Sequence, residues 1–190
     1  MKKIFYIYLS VFQRVIALVT APNETWQKID EENSRKKLLN FFFFPLIFLV
    51  AVLFFISKIR LFEEFSIFAA TLETVFMVFS FLCAFVICKK IFQATTKHIY
   101  KIELSDIQLD KVIIYSLSVI LTVKILAEIL DFTFFYLLWL YSAFIFWKVG
   151  DIILKLQDEG KGREIFLLIN SLSVICVPFI IEYILLKMFI

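Results

Sequence analysis

Five long apolar runs, roughly residues 37–57, 66–88, 111–131, 132–150 and 164–187, constrain this chain more than any other feature. A helix rising 1.5 Å per residue crosses a hydrocarbon core of about 30 Å in about 20 residues, so each run has the length of a membrane span. In lipid a segment has to satisfy its own backbone hydrogen bonds, which leaves helices or closed barrels. Continuous apolar runs of this length are the helical solution. The expected fold is all-α: a polytopic membrane helix bundle with five transmembrane helices plus an N-terminal amphipathic interfacial helix. The matching division is a cytoplasmic or interfacial segment, 1–36, and a transmembrane domain, 37–190.

Composition agrees. Hydrophobic residues make up 62% of the chain and mean hydropathy is +0.93, against about 45–50% apolar in a soluble domain. Three Gly and three Pro leave little material for long loops. The net charge of +3 matters less than where the cations stand. Lys2, Lys3, Arg14, Lys28, Arg35, Lys36 and Lys37 precede the first run. Lys89, Lys90, Lys97, Lys101 and Lys111 lie between the second and third, and Lys148, Lys155, Lys161 and Arg163 between the fourth and fifth. The opposite side has only Lys58, Arg60 and Lys187. Basic loops stay on the side of synthesis. The expected location is the cytoplasmic membrane of the cell, multi-pass, with the N-terminus cytoplasmic and the C-terminus external.

Residues 2–21 have the look of a leader, but Gln13 and Arg14 interrupt the apolar part. At helical spacing Ile4, Ile7, Val11, Val15 and Leu18 share one face, with Lys3, Tyr6, Ser10, Gln13, Arg14 and Ala17 opposite. That pattern predicts a helix lying in the membrane interface. Pro22 opens a short second helix carrying Trp26 and Ile29. Residues 30–37 read as a solvated charge run whose basic end lies nearest the headgroups. Pro45 predicts a kink in span one, because it has no N–H to donate. The pattern of span two continues towards Tyr100. Ser105 or Asp106 is the expected cap of span three. Spans three and four meet at Asp131 as an antiparallel hairpin.

No G-x-S-x-G, H-E-x-x-H, P-loop or Gly-rich dinucleotide motif occurs. Cys83, Cys88 and Cys176 lie within apolar runs without a C-x-x-C pair and read as small buried hydrophobes. His98 has no acidic neighbours at ligand spacing and reads as a surface residue. No cofactor, metal, catalytic residue or nucleic-acid partner is expected. The residues that resist the bilayer are Glu73, Lys124, Glu128 and Glu182, ionisable groups inside spans and so candidates for function. With the orientation above, all four fall in the outer half of the membrane, Glu73 and Lys124 about 10 Å deep. Lys124 is expected to point into the bundle with Glu128 and either Glu73 or Glu182 around it. A structural lock, an outward-facing polar cavity for a cation, proton or lipid headgroup, and snorkelling of some of these groups to the outer surface are the three readings of that cluster.

Several short motifs occur in a shared order. Pro22-Asn23-Glu24-Thr25-Trp26-Gln27-Lys28-Ile29 has the form P-x-x-x-W-x-x-I, and Phe44-Pro45-Leu46 opens span one. Tyr115-Ser116 starts span three, and Leu140-Tyr141-Ser142 leads to Gly150 in span four. In these features the chain resembles the YIP family, the Ypt/Rab-interacting membrane proteins and their prokaryotic relatives. It departs from the family pattern at Ser118-Val119 and Asp131, where Pro is frequent, and at Gln157-Asp158-Glu159-Gly160-Lys161. The resemblance implies five spans and a cytosolic N-terminus. Residues 1–36 do not match the long cytosolic extension of the eukaryotic members, so Rab binding is not among the expectations.

The leading functional expectation is a non-enzymatic scaffold or adaptor that organises proteins or lipids at the membrane. Its partners would be the lipid bilayer and other membrane or cytoplasmic proteins, engaged through Arg14, Trp26, Lys28, Lys36 and Lys37. The alternative is a small transporter or channel subunit using Glu73, Lys124, Glu128 and Glu182.

Overall fold

The computed structural model describes residues 2–32, 34–61, 67–101, 103–130, 138–152 and 161–189. The described elements are helical: α1 (Lys2–Thr20), α2 (Pro22–Asp30), α3 (Arg35–Leu38), α4 (Phe44–Leu61), α5 (Ile67–Thr95), α6 (Asp106–Leu130), α7 (Leu138–Ile152) and α8 (Lys161–Phe189). A π-helical turn, Leu39–Phe43, joins α3 to α4, and a second, Thr96–Tyr100, extends α5. Among the described residues four stretches are long and apolar enough to cross a membrane: Arg35–Ile59, Ile67–Tyr100, Asp106–Leu130 and Gly162–Phe189. The run assigned to span four is only partly covered. Residues 132–137 and Asp131 lie outside the described residues, and α7 at 15 residues is about 22 Å long, too short alone to qualify.

Local signals account for the element ends. Ser105 and Gln108 form a reciprocal cap at the start of α6: the Ser105 N–H donates to Gln108 Oε1 at 3.1 Å, and the Gln108 N–H donates to Ser105 Oγ at 3.4 Å. Pro22 occupies the first turn of α2. Lys101 closes the α5 extension in the left-handed conformation, φ 56°. The irregularity expected at Pro45 takes a specific form. Immediately before it the helix widens, with the Phe44 N–H bonding the Leu39 carbonyl five residues back. A π turn moves the preceding carbonyls away from a proline ring that would otherwise clash with the carbonyl four residues earlier.

Helix α6 is the axis of the bundle. From Leu109 to Leu121 every residue is buried, and α1, α4, α5, α7 and α8 all pack on it. The outer helices expose large apolar residues on their far faces, for example Phe48, Phe68, Leu140 and Tyr183. This is the distribution expected where lipid, not water, is the surrounding solvent. Helix α5 packs along α8, and the seam is held by small polar contacts of the kind that join membrane helices. Asn170 Nδ2 donates to Thr95 Oγ1 at 3.0 Å, and the Cys88 thiol donates to the Ser173 carbonyl at 3.5 Å. Of the three free cysteines Cys88 is buried and Cys83 half-buried, but Cys176 is exposed on α8, against expectation. His98 is exposed, in the second π turn.

The N-terminal segment shares this core. Val11, Val15 and Leu18 of α1 and Trp26 and Ile29 of α2 belong to the same buried cluster as α6. Trp26 is fully buried, meets Tyr115 edge-on at 6.0 Å, and donates from Nε1 to the Ile145 carbonyl of α7 at 3.1 Å. Truncating so large a buried side chain costs about 3–5 kcal/mol. Trp26→Ala should therefore loosen α1 and α2 from the bundle, read as faster limited proteolysis within α1 and α2 in detergent. Unchanged cleavage would show that the indole is not what fastens the segment.

Candidate functional site

The start of α6 carries three buried polar side chains, and each holds a different part of the chain. Asp110 is fully buried and accepts from Arg35 at the start of α3 and from Lys89 Nζ of α5 at 2.7 Å. Lys89 also reaches Asp106, 2.9 Å away. The next residue, Lys111, donates to the Asp30 carbonyl at 2.8 Å. Asp30 ends α2, where carbonyls lack helical partners and the helix dipole is negative, so an ammonium satisfies both conditions. One turn on, the Tyr115 hydroxyl donates to Glu32 Oε2 at 2.9 Å and accepts from Arg14 Nη1 at 2.7 Å. Arg14 also donates to Glu32 Oε1 at 2.6 Å, which closes a three-membered ring of hydrogen bonds. Charge-assisted bonds of this kind are the strong ones.

Two cavities flank the Arg14–Glu32 bridge. The larger, about 480 Å³, is lined by Ser10, Arg14, Glu32, Ser34, Lys37, Leu38, Phe41 and Phe42. The smaller, about 320 Å³, lies on the α2 side and is lined by residues that include Gln13, Arg14, Lys28 and Tyr115. The expected interface residues therefore separate. Arg14, Lys28 and Lys37 line the cavities. Lys36 is exposed and lines neither. Trp26 is sealed in the core and offers no surface to a partner. The run 30–37 is not simply solvated, since Glu32, Arg35 and the Asp30 carbonyl are all bonded to α1 or α6.

The other end of α6 brings together the expected intramembrane cluster, in a different pairing. Lys124 Nζ binds both carboxylate oxygens of Glu182 on α8 at 2.9 Å, with both side chains nearly buried. Its ammonium also lies 5.3 Å from the ring centroids of Phe54 and Phe179, a favourable cation–π arrangement. Glu128 does not join Lys124. It pairs with Lys58 at 3.2 Å, and Glu73 pairs with the same ammonium at 3.3 Å. Lys58 stands just beyond the first apolar run, 37–57, in the sequence, but it sits in the last turn of α4, which continues to Leu61. The cluster is thus two units: Lys124–Glu182 joining α6 to α8, and Lys58 joining α4 to α5 and α6.

Sequence reasoning missed Asp110, Lys111, Tyr115 and Lys58 as site residues. The available signal was Asp106 and Asp110 four apart on one helix face, next to Lys111 at the edge of an apolar run. No family model matches the chain, and the searches of curated proteins and of solved structures found no match either.

Removing one partner of a buried ion pair strands the other charge, at a cost of about 3–5 kcal/mol, whereas replacing both with apolar groups can be nearly neutral. Lys124→Met should lower the melting temperature in detergent, and adding Glu182→Met should recover most of the loss. If Lys124→Met melts like the wild type, the pair is not a lock.

Proposed function

We propose that this chain is a five-span integral membrane protein of the YIP type, a non-enzymatic scaffold whose N-terminal segment holds proteins or lipids at the cytoplasmic face of the cell membrane. The observation that carries this reading is the fastening of α1, α2 and α3 to the start of α6 through Tyr115, Lys111 and Asp110. A segment tied at three points presents a fixed surface, and a fixed surface is what an adaptor needs. The order of the P-x-x-x-W-x-x-I, Phe-Pro-Leu and Tyr-Ser motifs supports the family likeness. In the sequence the apolar run 132–150 has about the length of a fifth span. Leu9, Phe12, Ile16 and Val19 form an exposed apolar stripe on α1; together with the buried Val11, Val15 and Leu18 it gives the helix a broad apolar arc suited to an interfacial position. The Lys and Arg distribution supports the N-terminus-in orientation.

Affinity purification in mild detergent followed by mass spectrometry tests this. Deleting residues 2–32 should remove the co-purifying proteins. Because that deletion also uncovers core, Lys28→Glu with Lys36→Glu serves as a companion that leaves the Tyr115 ring of bonds in place. An unchanged set of proteins in both variants sinks the scaffold reading.

One observation favours a second reading, a transporter or channel subunit. In the outer cluster the described carboxylates of Glu73, Glu128 and Glu182 outnumber the ammonium groups they face, those of Lys58 and Lys124. That surplus of negative charge suits a cation or proton. On that reading Glu73→Gln or Glu128→Gln alone, each leaving Lys58 one carboxylate partner, stops flux in proteoliposomes while the chain still folds.

A further inference from the structure

We propose that the larger cavity, between α1 and the start of the first span, binds the phosphate of an anionic phospholipid whose acyl chain runs down the outer face of α4. This rests on reading the chain as a membrane protein with its N-terminal segment at headgroup depth, and it names the lipid that the scaffold holds.

The cavity has a polar rim and an apolar floor. On the rim, both oxygens of Glu32 are already engaged, one by Arg14 and one by Tyr115. Its negative charge is therefore answered within the wall. The Lys37 ammonium is not, since no hydrogen bond or ion pair engages it among the described residues. Arg14 makes its bonds to Glu32 and Tyr115 through Nη1, which leaves the N–H groups on Nε and Nη2 to donate. Ser34 adds a hydroxyl beside them. A planar guanidinium next to an ammonium is a recurrent phosphate cradle.

The floor is what distinguishes a lipid from a free anion. Leu38 and Phe41 line the cavity, and Phe41 is also half exposed on the outside of the helix. Below it Phe44, Phe48, Val52 and Ile56 are exposed at steps of three or four residues, one continuous apolar track along a single helix face. From Phe41 to Ile56 the track is about 22 Å long, more than the roughly 15 Å depth of one leaflet. A soluble phosphate would use the rim and none of this. A zwitterionic lipid would bring a quaternary ammonium to a rim where the Lys37 ammonium has no counter-charge among the described residues. An anionic phospholipid uses both parts.

The test places the full-length protein in phosphatidylcholine vesicles with spin-labelled phosphatidylglycerol or spin-labelled phosphatidylcholine as the probe. Electron paramagnetic resonance then reads the fraction of each probe immobilised by the protein. The wild type should prefer the phosphatidylglycerol probe, and Lys37→Gln should cut that preference about tenfold, the loss of about 1.5 kcal/mol for one hydrogen bond between charged groups. Lys36→Gln removes the same charge from the neighbouring position outside the cavity and should leave the preference intact. Equal immobilisation of the two probes, or equal damage from both substitutions, overturns the proposal. So does displacement of the phosphatidylglycerol probe by excess inorganic phosphate, which would assign the cradle to a free anion. Carbonate extraction of native membranes separates this failure from a deeper one. If the chain washes out, the membrane reading has failed; if it stays and the probes bind alike, only the lipid assignment has.

Discussion

A charge enclosed by a helical bundle has to be answered by a counter-charge or a hydrogen-bond partner from the protein itself, and α6 concentrates that requirement. The helix has protein on nearly every side, so neither water nor headgroups can solvate Asp110, Lys111 or Lys124 in place. Each is answered by a group from another element: Arg35 and Lys89, the Asp30 carbonyl, and Glu182. Between apolar helices in lipid, burial of apolar surface does little to select one packing over another, because the tails are as oily as the side chains. Polar pairs at fixed depths therefore carry much of the specification of which helix lies beside which, and at what height. The pairs at one end of α6 fix the N-terminal segment and α5; those at the other fix α4, α5 and α8.

This arrangement explains which features could be read from the sequence. Helix length and type are one-dimensional properties. The long runs, the continuation of α5 to Tyr100 and the Ser105 cap all follow from hydropathy, spacing and capping chemistry along the chain itself. Pairing is a property of angles between helices, which no single run records. Lys124 was legible as an inward-pointing cation, but the choice of Glu182 over Glu128 depends on how α8 is turned against α6. Lys58 was hidden because charge marks a loop in a hydropathy reading, and here the helix simply runs on through it. Asp110 and Lys111 were hidden for the same reason at the opposite boundary.

Residues 1–36 show the limit of a division made by composition. The segment is more polar than the remainder of the chain, and by location it can be set apart. By packing it cannot, because α1 and α2 contribute to the same core as α6, and the boundary falls inside the helix that begins at Arg35. The charged stretch 30–37 illustrates why. Charge density alone predicts solvent, yet a carboxylate, a guanidinium and a carbonyl from that stretch all find partners on α1 or α6. Whatever seats itself against α1 therefore acts directly on the wall of the bundle.

The widened turn at Leu39–Phe43 has a consequence for how such a chain can vary. A π turn is one residue accommodated within an otherwise regular helix. Taking out a single residue there would restore ordinary winding while leaving the angular phase above and below nearly as it was. It would also bring a carbonyl back under the Pro45 ring. Length and proline are thus locked together at this point: a homologue one residue shorter in this turn should also have dispensed with the imino acid.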